Sequence, residues 1–166
     1  MSRRRHGFEP LMLIAVLLGC GGKLEPIGEG TGGGPAVATL IGPVDTQAYC
    51  NTVGTIEIEV RARRIGCDPD STGPCTVPSD PPPIVGDKIS CPSTDDQTRL
   101  GVDIDEPGVY QVEAVGRSTT GDEQVDCFAP VGTPMGGSPD VEVRGADIEG
   151  SAQIELQPGP GPCPEP

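Results

Sequence analysis

From Thr55 to Arg63 apolar and charged residues alternate without interruption: Ile56, Ile58, Val60 and Ala62 take one side, and Glu57, Glu59, Arg61 and Arg63 take the other. Successive strand side chains point to opposite faces, whereas helix faces recur about every 3.6 residues, so this pattern predicts a half-buried β-strand. The charged row reads as the solvated face of a sheet. No stretch shows a sustained helical period with caps. With 25 glycines and 20 prolines, the chain is predicted to be short strands between irregular loops. The aromatic residues are Phe8, Tyr49, Tyr110 and Phe128, so the core must be built from β-branched and small side chains.

The other strands follow from the same period. Ala36 to Ile41 is a short apolar run that reads as a first strand. Cys67 to Pro83 is a loop, because Pro69, Pro74, Pro78, Pro81, Pro82 and Pro83 would each remove a ladder donor. Ile84 to Cys91 reads as a brief strand. Leu100, Val102 and Ile104 alternate with Gly101, Asp103 and Asp105, and Asp105-Glu106-Pro107-Gly108 forms a turn. Val109 to Val115 is a second strong strand with Tyr110, Val112 and Ala114 on its inner face. Gln124 to Ala129 is expected beside it. Beyond the Gly/Pro-rich Pro130 to Pro139, Val141 to Val143 and Ala152 to Leu156 alternate again, ahead of a Pro/Gly-rich tail over residues 158–166.

The cysteines carry the next constraint. Cys20 stands apart near the N-terminus, which leaves Cys50, Cys67, Cys75, Cys91, Cys127 and Cys163 as an even set. Three disulfides would compensate for a core with so few aromatic rings. Cys67 and Cys75 bracket a turn of a length that can bring their Cα atoms within the roughly 4.4–6.8 Å a disulfide needs. The remaining four allow three pairings. No C-x-x-C pair occurs and the only histidine is His6, so zinc is not expected.

Arg3, Arg4 and Arg5 precede the apolar run Leu11-Met12-Leu13-Ile14-Ala15-Val16-Leu17-Leu18, which is shorter than the roughly 20 apolar residues of a membrane-spanning helix. A basic segment, a short apolar segment and a small residue make a secretory signal. Leu17-Leu18-Gly19-Cys20 resembles the lipobox of bacterial lipoproteins, a resemblance confined to the first twenty residues. It implies cleavage before Cys20, so that residues 1–19 are a signal peptide, with a diacylglyceryl thioether on the Cys20 sulfur and an acylated new N-terminus. Several acyl chains anchor a protein stably where one does not. Gly21 after the cysteine implies, by the family's sorting pattern, the outer membrane of the cell envelope. Residues 20–35 then form the lipidated cysteine and a flexible glycine-rich tether. The G-x-G-x-x-G at Gly28, Gly30 and Gly33 lies in that tether, without the strand and helix that give the fingerprint meaning.

Residues 36–157 are predicted to be one all-β domain. About seven short antiparallel strands punctuated by turns and long Pro/Gly-rich loops point to a β-sandwich. Gly42-Pro43-Val44-Asp45, leading into Thr55 to Val60, resembles the A-to-B passage of bacterial Ig-like domains, and Pro107-Gly108-Val109-Tyr110-Gln111-Val112 resembles their F strand. The resemblance covers about a third of the chain beyond the signal and implies a disulfide-stapled Ig-like sandwich. It also implies a tyrosine corner: the Tyr110 ring in the core, its hydroxyl bonded to upstream backbone.

Charge and residue types narrow the function. Loss of Arg3, Arg4, Arg5 and Glu9 with the signal takes the formal net charge from −14 to −16. Such a surface repels nucleic acid, which is excluded as a partner. Without histidine beyond the signal, a nucleophile has no imidazole base, and acidic pairs such as Asp103 and Asp105 arise by chance in so acidic a chain. No enzymatic activity and no cofactor are expected. Asp68-Pro69-Asp70-Ser71-Thr72-Gly73 imitates the opening of an EF-hand loop, but the twelfth position is Ser79 rather than glutamate, and a polar turn closed by Cys67 and Cys75 is the simpler reading. Asp103, Asp105 and Glu106 form a second, weaker acidic group. The expected function is that of an envelope lipoprotein, held to the membrane through Cys20, whose Ig-like domain is a non-enzymatic binding or assembly module for an envelope protein or glycan. A spacer without a ligand and a calcium-binding surface module are the alternatives.

Overall fold

The computed structural model describes residues 35–52, 54–92, 98–134, 137–159 and 161–163. Eight strands and two short helices occur among them: β1 Ala38–Val44, α1 Thr46–Asn51, β2 Thr55–Gly66, β3 Ile84–Ser90, β4 Thr98–Ile104, β5 Gly108–Ser118, β6 Glu123–Pro130, β7 Val141–Val143, α2 Gly145–Glu149 and β8 Gln153–Pro158. The protein is therefore mostly β.

The helices correct the all-β expectation. α1 has six residues and α2 five, too few to display a helical period in the sequence. Each nevertheless has a local cause. Asp45 caps α1 by accepting the Ala48 N–H at 2.9 Å, and the Asp147 carboxylate accepts the Arg144 N–H at 2.8 Å at the start of α2.

Hydrogen bonds join the strands in the order β3-β2-β5-β6-β8-β1-β4, with β7 paired to the N-terminal part of β5. β6 and β8 link the two halves through Phe128, Ala129 and Pro130 opposite Pro158, Gln157 and Leu156. The result is one mixed sheet that nearly closes into a barrel. Its pairings are antiparallel except that of β1 with β8, which corrects the expectation of an entirely antiparallel arrangement. A parallel neighbour needs a long connection, and here it is the rest of the domain.

The end strands β3 and β4 meet at the seam. Asp87 on β3 accepts the Gly101 N–H of β4 through its carboxylate at 2.9 Å. Gly86 allows the approach, because a Cβ there would lie 2.2 Å from the Gly101 carbonyl oxygen and 2.7 Å from Val102 Cα. The seam is thus closed by one side chain and one missing side chain.

Inside lie Leu40 from β1, Ile58, Val60 and Ala62 from β2, Val102 and Ile104 from β4, and Tyr110, Val112 and Ala114 from β5. Phe128, Val141, Val143 and Leu156 belong to the same core, as do Ala38, Val44, Tyr49, Leu100 and Ile148. Ile56 does not join it and is 48% exposed. The register of β2 on β5 shifts between Thr55 and Glu57, and the extra residue turns Ile56 outward while Thr55 takes the inward place. The described part of the tail stays on the sheet: Gly159 N–H donates to the Cys127 carbonyl at 2.6 Å, and Cys127 N–H donates to the Gly161 carbonyl at 2.8 Å.

Candidate functional site

A cleft of about 270 Å³ opens where α1 lies against the ends of β1, β6 and β8. Its position follows from how α1 docks. Tyr49, 5% exposed, lays its ring against Gly116 of β5, where a Cβ would come within 2.6 Å of the ring. Cys50, the next residue, is bonded to Cys91 just beyond β3. Held at both points, α1 forms one wall, and Phe128, Pro158 and Gly159 contribute to the other.

Two polar side chains of the cleft, Tyr49 and Gln124, converge on Asp126. The Tyr49 hydroxyl donates to Asp126 Oδ2 at 2.5 Å, and Gln124 Nε2 donates to the same oxygen at 3.1 Å. Tyr49 Oη also lies 3.3 Å from the Ala114 carbonyl. Burial, the hydrogen bond to Asp126 and the charge of Asp126 push the Tyr49 hydroxyl far above the ordinary phenol range. Tyr49 therefore stays a neutral donor. Gln124 Oε1 is buried without a hydrogen-bond partner. Apolar walls with a few convergent polar groups are the usual form of a binding pocket.

A charged cluster lies on the outer face of the sheet around Glu59. Glu59 on β2 has no exposed surface; its Oε1 takes Arg61 Nε and, at 2.9 Å, an Arg117 amino group, while Oε2 lies 2.8 Å from Lys88 Nζ. Arg61 and Arg117 reach on to Glu123. Burial by itself would raise the Glu59 pKa, but Lys88, Arg61 and Arg117 bring it below the ordinary carboxylate range. Val115, the partner of Glu59 on β5, faces the same side of the sheet and is also fully buried. The alternating charges of β2 thus form a structural network in which Glu59 is not solvated.

The cysteines selected from the sequence come together as three disulfides. Cys67 joins Cys75 at a Cα separation of 6.0 Å, Cys50 joins Cys91 at 5.5 Å, and Cys127 joins Cys163 at 4.8 Å. Tyr110 is 1% exposed, and its hydroxyl donates to the Glu106 carbonyl oxygen at 2.7 Å. Cys20 and the glycines at 28, 30 and 33 lie outside the described residues.

Four of the carboxylates weighed as cation ligands are engaged by protein. Asp68 accepts the Asp70 N–H at 2.9 Å, and Asp70 pairs with Arg144 at 2.9 Å. Asp103 accepts the Thr39 hydroxyl at 2.6 Å, and Glu106 pairs with Arg64 at 2.8 Å. Among the described residues no three His, Cys, Asp or Glu side chains gather as metal ligands would. No helix among them is long and apolar enough to cross a membrane.

Tyr49, Gln124 and Asp126 were not selectable as a site from the sequence. Asp126 and Gln124 sit on one short strand, and only α1 brings Tyr49 to them across 77 residues of chain. No protein-family profile, curated protein or solved structure matches this chain.

Proposed function

We propose that the protein is a lipid-anchored, extracytoplasmic component of the bacterial cell envelope whose β domain is a non-enzymatic binding or assembly module. The observation that carries this reading is the engagement of Cys50, Cys67, Cys75, Cys91, Cys127 and Cys163 in three disulfides, because such bonds persist in oxidising compartments and are rare in the cytosol. Cys20 behind its apolar leader supplies the anchor, and Gly21 directs it to the outer membrane. The Tyr110 to Glu106 contact favours Ig-like descent of the domain. The cleft beside α1 is its binding surface, directed at an envelope protein or glycan, and the acidic charge of the chain keeps nucleic acid away.

Mass spectrometry of the mature N-terminus together with membrane fractionation tests the anchor. An acylated Cys20 in the outer-membrane fraction, lost in Cys20→Ser, is expected. An unmodified N-terminus at any other residue, or cysteines reduced in the protein taken directly from cells, would refute the reading.

A further inference from the structure

The cleft beside α1 holds two carboxylates that form no ion pair among the described residues. Asp45, exposed at the N-cap of α1, and Asp126 on β6 both line it. Every arginine and lysine among the described residues is engaged in an ion pair elsewhere, and none of these pairs includes Asp45 or Asp126. One oxygen of Asp45 accepts the Ala48 N–H, and one oxygen of Asp126 accepts Tyr49 and Gln124. The neighbouring Gln124 Oε1 is buried and has no hydrogen-bond partner.

The cleft therefore presents acceptors and negative charge, while its one hydroxyl, on Tyr49, is already donating to Asp126. Pro43, Val44, Ala48 and Phe128 supply apolar surface beside these groups. The complementary group has an aliphatic stem and a positively charged, donor-only head, which describes the side chains of lysine and arginine. A volume of about 270 Å³ lies below the roughly 300–1,000 Å³ of pockets for whole small molecules and suits one inserted side chain. The net charge of −14 extends the attraction beyond contact distance.

From this complementarity we infer that the cleft is a docking site for a basic side chain projecting from a partner polypeptide. The inference rests on the reading of the domain as a binding module and names the chemistry its partner must present. Asp126 is the inner contact for the cationic head, held in place by Tyr49 and Gln124, and Asp45 stands at the rim.

The test uses the full chain carrying Cys20→Ser, with its disulfides formed, and two blocked tripeptides that differ only in a central lysine or norleucine. In an NMR titration the lysine peptide should shift the Ala48, Asp126 and Gly159 amide resonances saturably, with a Kd on the order of 1 mM. The norleucine peptide should bind at least about fivefold more weakly, and added salt should narrow the difference. Asp45→Asn and Asp126→Asn should each weaken the lysine peptide several-fold. Asparagine caps helices as well as aspartate does, so Asp45→Asn keeps α1 in place even if Asp126→Asn perturbs folding. Equal affinity for the two peptides, or no saturable shift at about ten times the expected Kd, would overturn the inference.

Capture from cell envelopes by the anchored wild-type chain separates this inference from the reading beneath it. A partner held equally well by the Asp45→Asn/Asp126→Asn double variant overturns the basic-side-chain inference and leaves the module reading standing. Lysine-peptide binding without any captured envelope partner supports the cleft chemistry and counts against the module.

Discussion

Glu59 has no solvent-exposed surface, and its Oε2 lies 2.8 Å from the ammonium of Lys88, the residue directly opposite it on β3. Arg61 and Arg117 meet its other oxygen, so three cations surround one buried carboxylate. A buried charge is tolerable only when it is compensated in this way, and taking away one member leaves the others unmatched.

This arrangement predicts acid sensitivity. The folded-state pKa of Glu59 is lowered relative to the unfolded chain, so its contribution to stability is present above the unfolded value of about 4.3 and disappears as pH falls through the folded value. Glu59→Gln should cost about 1–3 kcal/mol at neutral pH. The gap between wild type and Glu59→Gln in denaturant midpoint should shrink steadily below that unfolded pKa. A gap that stays constant down to strongly acidic pH would show that the Glu59 charge contributes nothing. Lys88→Met should cost less than Glu59→Gln, because Glu59 then keeps Arg61 and Arg117.

Tyr110 makes a separable contribution through its ring and its hydroxyl. Tyr110→Phe removes only the hydrogen bond to the Glu106 carbonyl and should cost about 0.5–1.5 kcal/mol. Tyr110→Ala empties a core site and should cost about 3–5 kcal/mol. Denaturant unfolding of the oxidised protein measures both. Parity of Tyr110→Ala with a Gln157→Ala control would show that the ring does not anchor β5.

Alkaline pH probes both tyrosines of the chain at once. Burial leads the causes that raise both, with Asp126 adding to it for Tyr49; for Tyr110, Glu106 and Asp105 raise it further while Arg64 opposes. A raised folded pKa stabilises fully below the unfolded value of about 10, and that stability is lost as pH climbs toward the folded value. Phenolate absorbance should therefore be well below half its full value at the pH where free tyrosine is half ionised, and that of Tyr49 should emerge together with the loss of β-sheet circular dichroism. Full phenolate absorbance that develops on an intact sheet signal would contradict the burial of these hydroxyls.

The short-loop disulfide should be worth less than the other two. Cys127–Cys163 closes a loop with a sequence separation of 36 and Cys67–Cys75 one of 8. Loop-closure entropy predicts about 4 kcal/mol for the first and about 2.5 kcal/mol for the second. Paired Cys→Ser substitutions at each bridge, compared by thermal unfolding, check the order. Non-reducing peptide mapping should recover Cys50 with Cys91, Cys67 with Cys75, and Cys127 with Cys163.

Closure of the barrel should depend on Gly86. An added methyl would meet the Gly101 carbonyl oxygen and Val102 Cα, which are backbone atoms and cannot rotate away. Gly86→Ala should cost about 1–3 kcal/mol and accelerate hydrogen exchange of the Gly101 amide, whose partner is the Asp87 carboxylate. Unchanged exchange at Gly101 would place the seam elsewhere.

What the residues determined by themselves was the local part of the fold. Alternation over Thr55–Arg63 and Val109–Val115 marked β2 and β5 and placed Ile58, Val60, Tyr110 and Val112 inward, because strand direction is set by a period of two that each residue carries alone. The short span between Cys67 and Cys75 likewise limited their geometry. Everything that required two distant segments to meet was decided only in the tertiary structure. The parallel pairing of β1 with β8, the bulge that turns Ile56 outward and the other two disulfides depend on strand partners that no local pattern names. α1 escaped detection because six residues have no readable period, and with it went the cleft, since Tyr49 meets Asp126 only after α1 has docked on Gly116. Glu59 shows the same division. Its alternation placed it on the outer face, but its burial follows from Lys88, Arg61 and Arg117 closing over it once β3 and β5 have taken their places on either side of β2.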